Sequence, residues 1–305
     1  MNGLLIINKP PGFTSHDVVA RVRRILKTKR VGHTGTLDPF ATGVLVILVG
    51  QATRLAQFLD KDEKEYEAVV RFGTETDTGD QTGSPKSQVQ STRSISIEEI
   101  ERILPEFRGE IRQIPPMYSA KKIEGKKLYE LARKGIAVER KPVKIKVSEI
   151  EVYELSNSDV PGEANHGPCT LNFGLKVACS AGTYIRTLAE DIGRKVGAGA
   201  HLAELTRTRA GKFLLSDAAT LEDLEKSTNP AGFVLPMSEA IEHLPKLILN
   251  ADRVTKTKNG LSTRYDGAAL TCNQPVQMVD EHENLIAVGF YDEAENSVHP
   301  KVVLS

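Results

Sequence analysis

Long apolar runs are missing from this 305-residue chain. The longest, Val44-Leu45-Val46-Ile47-Leu48-Val49, is far short of the roughly 18 residues that a membrane-spanning helix needs. Met1 leads into Gly3-Leu4-Leu5-Ile6-Ile7-Asn8-Lys9-Pro10, with neither a basic n-region nor a small-residue cleavage site, so no secretory leader is expected. Cysteine is scarce. Cys169, Cys179 and Cys272 form no CxxC pair, and they suit neither a disulfide framework nor a zinc cluster. His166 and Cys169 stand three apart, but no second pair completes a metal site. There is no GxxxxGKS/T, no GxGxxG after a strand and no HExxH, so nucleotide-cofactor binding and zinc hydrolysis lack support. What is left is a soluble, cytoplasmic protein. Its 40% apolar and 26% charged composition suffices for a core, and its length favours two domains.

Net charge is also absent: forty Lys and Arg balance forty Asp and Glu. The average hides a pattern. Residues 1–60 hold eight basic and three acidic side chains, and residues 105–147 hold twelve and five. Two positive stretches in a neutral chain could form one face that neutralises phosphates; they could equally be solvated helix faces. Charge alone does not decide.

Gly3 to Asn8 reads as a short buried strand stopped by Lys9-Pro10-Pro11-Gly12. Thr14 to Asp17 fits a capping box, and Val18, Val19, Val22, Ile25 and Leu26 recur at helical spacing, predicting a helix from about Ser15 to Thr28. A Gly/Thr/Pro-rich turn, Gly32 to Gly43, precedes the Val44–Val49 strand. Glu65 to Phe72, Val143 to Tyr153 and Leu171 to Cys179 are further strands, while residues 73–96 and 156–168 read as surface loops. Ile97–Leu104 and Tyr184–Val196 have helical character, and Lys121–Lys146 is basic with a helical middle, Lys127–Lys134. After Phe233 come about 70 acidic, short-stranded residues that suit a small β-rich domain. The class is α+β, with a large mixed or antiparallel sheet flanked by helices and a smaller C-terminal unit; the expected division is 1–233 and 234–305.

Chemistry concentrates in Gly32-His33-Thr34-Gly35-Thr36-Leu37-Asp38-Pro39-Phe40-Ala41-Thr42-Gly43. An aspartate among small and apolar residues, just before a buried strand, must lose water, gain a cationic partner, or both. It could act as a nucleophile or a general base, or it could simply close an Asp-Pro turn on its own backbone. A second cluster, Ser180-Ala181-Gly182-Thr183-Tyr184-Ile185-Arg186-Thr187-Leu188, opens a helix whose first turn bears Tyr184 and Arg186. That arginine could pair with Asp38 or lie on the surface. Tyr66, His33 and Leu205 read individually as a packing tyrosine, a turn histidine and a core leucine.

The sequence resembles the TruB family of tRNA pseudouridine synthases. The likeness lies in Asn8-Lys9-Pro10-Pro11-Gly12-Phe13-Thr14-Ser15, the aspartate loop Gly32–Gly43, and the Tyr66 strand running into Phe72-Gly73-Thr74-Glu75-Thr76-Asp77. Pro115-Pro116-Met117-Tyr118-Ser119-Ala120 and Gly182-Thr183-Tyr184-Ile185-Arg186 complete it, in the family's order over most of residues 1–210. The resemblance implies a pseudouridine synthase-like fold with a C-terminal PUA-like domain. It implies isomerisation of uridine at position 55 in the T-loop of tRNA, without cofactor or metal. Asp38 matches the catalytic aspartate and Arg186 its partner. Tyr66 and Tyr184 match aromatics packed around the uracil, His33 a residue touching RNA near the flipped nucleotide, and Leu205 an apolar pocket wall. The basic 121–146 stretch matches an RNA-gripping insertion.

Such chemistry needs an everted base in a closed pocket and an ionised Asp38. Burial raises an aspartate's pKa and a neighbouring arginine lowers it; the expectation is that the arginine wins. The rivals are a non-catalytic RNA-binding or RNA-folding protein, a relative acting inside a guide-RNA ribonucleoprotein, and an acid/base hydrolase, which lacks a second carboxylate placed for the work. The compact start at Met1, the basic insertion and the absence of Lys-rich tails favour the stand-alone enzyme; the expected partner is the tRNA T-arm, with a monomeric state and no membrane or protein partner required.

Overall fold

The computed structural model describes residues 1–59, 63–88, 95–119, 121–123, 125–136, 138–155 and 171–304. The loop expected at 156–168, with His166 and also Cys169 beyond it, lies outside the described residues, as do residues 89–94 of the loop expected at 73–96 and residues 124 and 137 of the basic stretch.

Strand β1 (Gly3–Lys9) runs into helix α1 (Ser15–Ile25), β2 (Val31–Thr34), β3 (Thr42–Val49) and the short α2 (Ala56–Leu59). The next elements are β4 (Lys64–Phe72), the small hairpin β5 (Thr74–Thr76) and β6 (Pro85–Gln88), α3 (Ile97–Ile103) and β7 (Gly109–Gln113). A second small hairpin, β8 (Lys122–Ile123) and β9 (Lys126–Lys127), leads to α4 (Leu128–Ala132). β10 (Val143–Glu154), β11 (Asn172–Cys179), α5 (Ile185–Val196), β12 (Ala200–Ala210), β13 (Phe213–Leu214) and α6 (Leu221–Lys226) follow. The start of α1 forms as its sequence predicts: the Thr14 side chain accepts from Asp17 N, and the Asp17 side chain accepts from the Thr14 backbone.

Nine strands make one sheet in the order β1-β3-β12-β4-β11-β10-β7, with β2 on β3 and β13 on β12. All pairs are antiparallel except β3–β12, which run parallel and meet only at Thr206–Thr42 and Arg207–Gly43. Both faces of the β1–β3 region are covered, which is why Val44–Val49 reads as an unbroken apolar run rather than an alternation. Leu45, Ile47 and Val49 join the core beneath α1 and α5, whereas Val44, Val46 and Leu48 pack against the C-terminal residues Ile241, Val288 and Val302. Strand β12, at the centre of the sheet, is absent from the sequence expectation. Two register shifts, at Leu202/Glu204 and Arg207/Arg209, break its period-2 pattern.

The acidic C-terminal residues build a second sheet from β14 (Lys246–Leu249), β15 (Thr263–Arg264), β16 (Pro275–Asp280), β17 (Leu285–Asp292) and β18 (Ser297–Val303). The strand order is β14-β16-β17-β18-β15, with helix α7 (Ala251–Lys258) beside it. The β-rich expectation for this part of the chain agrees with the structure.

Candidate active site

The parallel seam between β3 and β12 is where the site forms. A side chain at position 43 would drive a Cβ to 2.2 Å from the Arg207 carbonyl oxygen, and Gly43 has φ +99°, so glycine is what lets the two strands meet. The segment just before it, Gly35–Pro39, is held as a loop by three separate elements. Lys9, fully buried at the end of β1, donates from Nζ to the carbonyls of Pro10 (2.9 Å), Phe13 (2.7 Å) and Pro39 (3.2 Å). Ser15 Oγ donates to Leu37 O at 3.2 Å and accepts from Leu37 N at 3.0 Å. Arg207 donates from Nε to Val44 O (2.7 Å) and from Nη2 to Gly35 O (3.0 Å). Asp38 is therefore carried on a rigidly tied loop.

Across from it, Tyr184 caps the start of α5, and its backbone is clamped by Gln113: Tyr184 N donates to Oε1 (2.8 Å) and Gln113 Nε2 donates to Tyr184 O (2.9 Å). This sets Arg186, 5% exposed, in a two-pronged pair with Asp38. Nε lies 2.8 Å from Asp38 Oδ2, and Nη2 donates to Oδ1 at 3.0 Å. Nη2 also donates to Tyr118 O (2.8 Å) and Nη1 to Thr78 O (2.9 Å). The expected pairing of Asp38 with Arg186 is present, and the planar guanidinium fork suits it.

Residues 73–88, the described part of the loop expected at 73–96, are not simply a surface loop. Their turn carries Asp80, 4% exposed and 3.6 Å from Arg186 Nη1, with Oδ1 accepting from Thr78 Oγ1 (2.8 Å), Thr82 Oγ1 (2.6 Å) and Thr82 N (3.0 Å). One cation thus serves two carboxylates. This corrects the expected charge balance at Asp38. Loss of water raises its carboxyl above the ordinary aspartate value, Arg186 opposes that rise, and Asp80 adds to it. The sign for activity follows: a reaction that needs ionised Asp38 loses rate as pH falls through this raised pKa. We expect single-turnover rates to show an acid limb above the usual aspartate value of about 3.9; a profile flat down to that value would contradict the assignment.

Between the loop and α5 lies a cavity of about 270 Å³. Asp38, Tyr66, Tyr184, Arg186 and Leu205 all line it, joined by Lys64, Ser119 and Arg207. Tyr66 on β4 sits opposite Arg207 on β12, and Ala68 opposite Leu205, so period-2 alternation puts Tyr66, Leu205 and Arg207 on one face. Burial pushes the Tyr66 phenol up, and Arg207 opposes this. His33 does not line the cavity. It packs edge-on against His16, ring centroids 5.5 Å apart, and its Nδ1 has no hydrogen-bond partner among the described residues. Burial, helped by His16 and Arg207, lowers it to about 4, so it is neutral near pH 7. Among the described residues no group of three or more His, Cys, Asp or Glu is placed to hold a metal ion, and no helix is long and apolar enough to cross a membrane.

Asp80, Lys9 and Arg207 escape a reading by residue type. Only Arg207 leaves a trace, since it stands two positions after Leu205 and so shares its face.

Family models match in two blocks: the TruB family pseudouridylate synthase N-terminal domain over residues 23–185, and the tRNA pseudouridylate synthase B C-terminal domain over 186–250. Curated relatives called tRNA pseudouridine synthase B include those of Solibacter usitatus, 42% identical over 311 aligned positions with 100% of each chain covered, and Geobacillus thermodenitrificans, 42% over 291 with 94% of each. That of Bacillus subtilis is 40% identical over 295, covering 95% of this chain and 93% of its own. Among solved structures, an H/ACA RNP bound to a substrate RNA containing 2'-deoxyuridine has a chain with TM-score 0.73 and 27% identity, covering 99% of this chain and 85% of that one. A chain of a Cbf5-Nop10-Gar1 complex has TM-score 0.73 and 29% identity, covering 99% and 84%.

Proposed function

The chain belongs to the TruB family of pseudouridine synthases and isomerises uridine in tRNA, and we propose that its target lies in the T-loop, at position 55. The observation that carries the reading is the Asp38–Arg186 pair facing a nucleobase-sized cavity walled by two tyrosines and a leucine. The reaction breaks the bond from uracil N1 to ribose C1', turns the base and joins C5 to C1'. N1 gains a proton and C5 loses one, so no donor or acceptor of electrons or groups is consumed.

Everting the base costs a few kcal/mol. Stacking on Tyr66 or Tyr184 offsets this by ~1–3 kcal/mol per base. Asp38 starts the reaction as a carboxylate, whether it attacks the sugar, adds to the base or removes a ribose proton. Arg186 keeps that carboxylate aimed, and Leu205 closes the apolar wall. Neutral His33 contacts RNA beside the flipped nucleotide. Residues 1–233 form the catalytic unit and 234–305 a PUA-like RNA-binding unit; the enzyme acts as a cytoplasmic monomer without a protein partner.

Purified protein given an unmodified tRNA transcript, digested to nucleosides and separated, tests this reading. Pseudouridine at one T-loop position is expected with nothing else added; product only with a guide RNA and partner proteins would favour the ribonucleoprotein reading instead. Identity of 40–42% to the curated relatives, against 27–29% to the H/ACA and Cbf5 chains, favours the stand-alone enzyme.

The basic stretch emerges from the cavity wall: Tyr129 N donates to Ser119 O (3.1 Å) and Leu128 N to Lys121 O (2.9 Å). Lys122, Lys126, Lys134 and Lys141 on it are exposed. Neutralising them is expected to weaken tRNA binding whatever the RNA sequence. The log–log salt slope should flatten by about 0.7–0.9 for each phosphate that is no longer neutralised. An unchanged slope would move the phosphate-binding face elsewhere.

A further inference from the structure

One polar group in the cavity has no task in this reaction. Ser119 is 5% exposed, and its Oγ reaches no hydrogen-bond partner among the described residues. A buried hydroxyl left unpaired is costly and asks for an explanation. Other orphaned side-chain atoms exist, among them Thr187 Oγ1 and His33 Nδ1, but they do not line the cavity; Ser119 does. Nor is it loosely held. The carbonyl just before it, Tyr118 O, accepts from Arg186 Nη2 at 2.8 Å, and its own carbonyl accepts from Tyr129 N at 3.1 Å. The backbone that carries the hydroxyl is therefore held on both sides, one residue away from the guanidinium that grips Asp38.

Resting on the reading that this cavity receives an everted uridine, we propose that Ser119 Oγ donates a hydrogen bond to a ring carbonyl of the uracil and holds the base while it is detached from the sugar. Uracil carries one carbonyl on each side of N3–H. A half-turn of the ring about the line through N3 and C6 puts C5 where N1 was and exchanges C2=O with C4=O. A donor fixed at one carbonyl position therefore meets a carbonyl oxygen both before and after the turn. The N1–C1' bond breaks and the C5–C1' bond forms while Ser119 keeps its proton and forms no covalent bond. The base satisfies the orphaned hydroxyl, and the hydroxyl keeps the base from drifting.

The test is a cycle crossing Ser119→Ala with tRNA bearing 4-thiouridine or 2-thiouridine at the target position, since a thiocarbonyl is the weaker acceptor. Ser119→Ala is expected to slow single-turnover isomerisation of uridine roughly tenfold. It should leave tRNA affinity and unfolding temperature unchanged, and Ser119→Thr, which keeps the hydroxyl, should restore most of the rate. Thio substitution should slow the wild type and have clearly less effect in Ser119→Ala, so that the losses are non-additive. Additive losses with both thio substrates or an unslowed Ser119→Ala would each overturn the proposal. Should alanine lower the unfolding temperature, Ser119→Cys, nearly isosteric with a weak donor, runs the same cycle. A wild type that makes no pseudouridine in tRNA would sink the functional reading itself, whereas an active wild type with additive losses sinks only the role of Ser119.

Discussion

Replacing Asp38 by asparagine is expected to lower the single-turnover rate of pseudouridine formation by about 10⁴-fold, with tRNA affinity changed less than about threefold. Asparagine keeps the shape and can still accept from Arg186, but it offers neither a nucleophile nor a base. The loop stays tied through Lys9, Ser15 and Arg207, none of which bonds the Asp38 side chain. Stability should move the other way. A carboxyl whose pKa is raised by folding contributes its stability below the unfolded value and loses it as pH rises through the folded one. Above the unfolded value the raised Asp38 carboxyl therefore costs stability, and Asp38→Asn should unfold at an equal or higher temperature. Parallel loss of turnover, binding and stability would instead make the residue structural.

The second large effect concerns Arg186. Its guanidinium reaches Asp38, Asp80, Thr78 O and Tyr118 O, joining the aspartate loop, the β5–β6 turn and the wall that carries Ser119. Arg186→Met leaves two carboxylates facing one site with no cation between them. Removing one partner from a buried charge cluster costs about 3–5 kcal/mol. At roughly 2–4 °C per kcal/mol for larger domains, the unfolding temperature should drop by about 6–20 °C. The Asp38 carboxyl then loses the cation that opposes its rise, so any activity left should appear only at higher pH than in the wild type. Arg186→Lys should rescue part of the stability and little of the rate, because an ammonium cannot make the bidentate grip and both carbonyl bonds together. A lysine variant with full activity would show that charge alone suffices.

How legible the site is in the sequence depends on whether its parts are local. The Asp38 loop and the Gly182–Arg186 turn stand out because small residues, a strand boundary and a helix start mark them within a few positions. Helix α1 ends at Ile25, three residues before the expected Thr28, because Lys27 turns to a left-handed φ of 49° that no helix continues through. Elements that depend on partners far along the chain stay hidden. β12 pairs with β4 through two register shifts, so its alternation is broken, although it carries Leu205 and Arg207. Asp80 sits in a polar, Gly- and Thr-rich stretch with the composition of a surface loop, and only the fold turns it onto Arg186. Lys9 ends a strand in sequence but is buried in the structure, because three backbone carbonyls converge on its ammonium. Burial lowers that ammonium to about 8, with Asp38 opposing, which still leaves it mostly charged near neutrality. The Asp38 carboxyl shifts against the sequence expectation because burial outweighs Arg186, and Asp80, which only the fold brings near, adds to the rise.

Tritium release from tRNA labelled at uracil C5 probes the chemistry itself. Joining C5 to the sugar expels that hydrogen to water, so wild-type protein alone should release the label of a single T-loop uridine per tRNA, and Asp38→Asn should release none on the same timescale. Binding of the tRNA without release of tritium, or equal release by both proteins, would contradict a carboxylate held by Arg186 acting on an everted uridine.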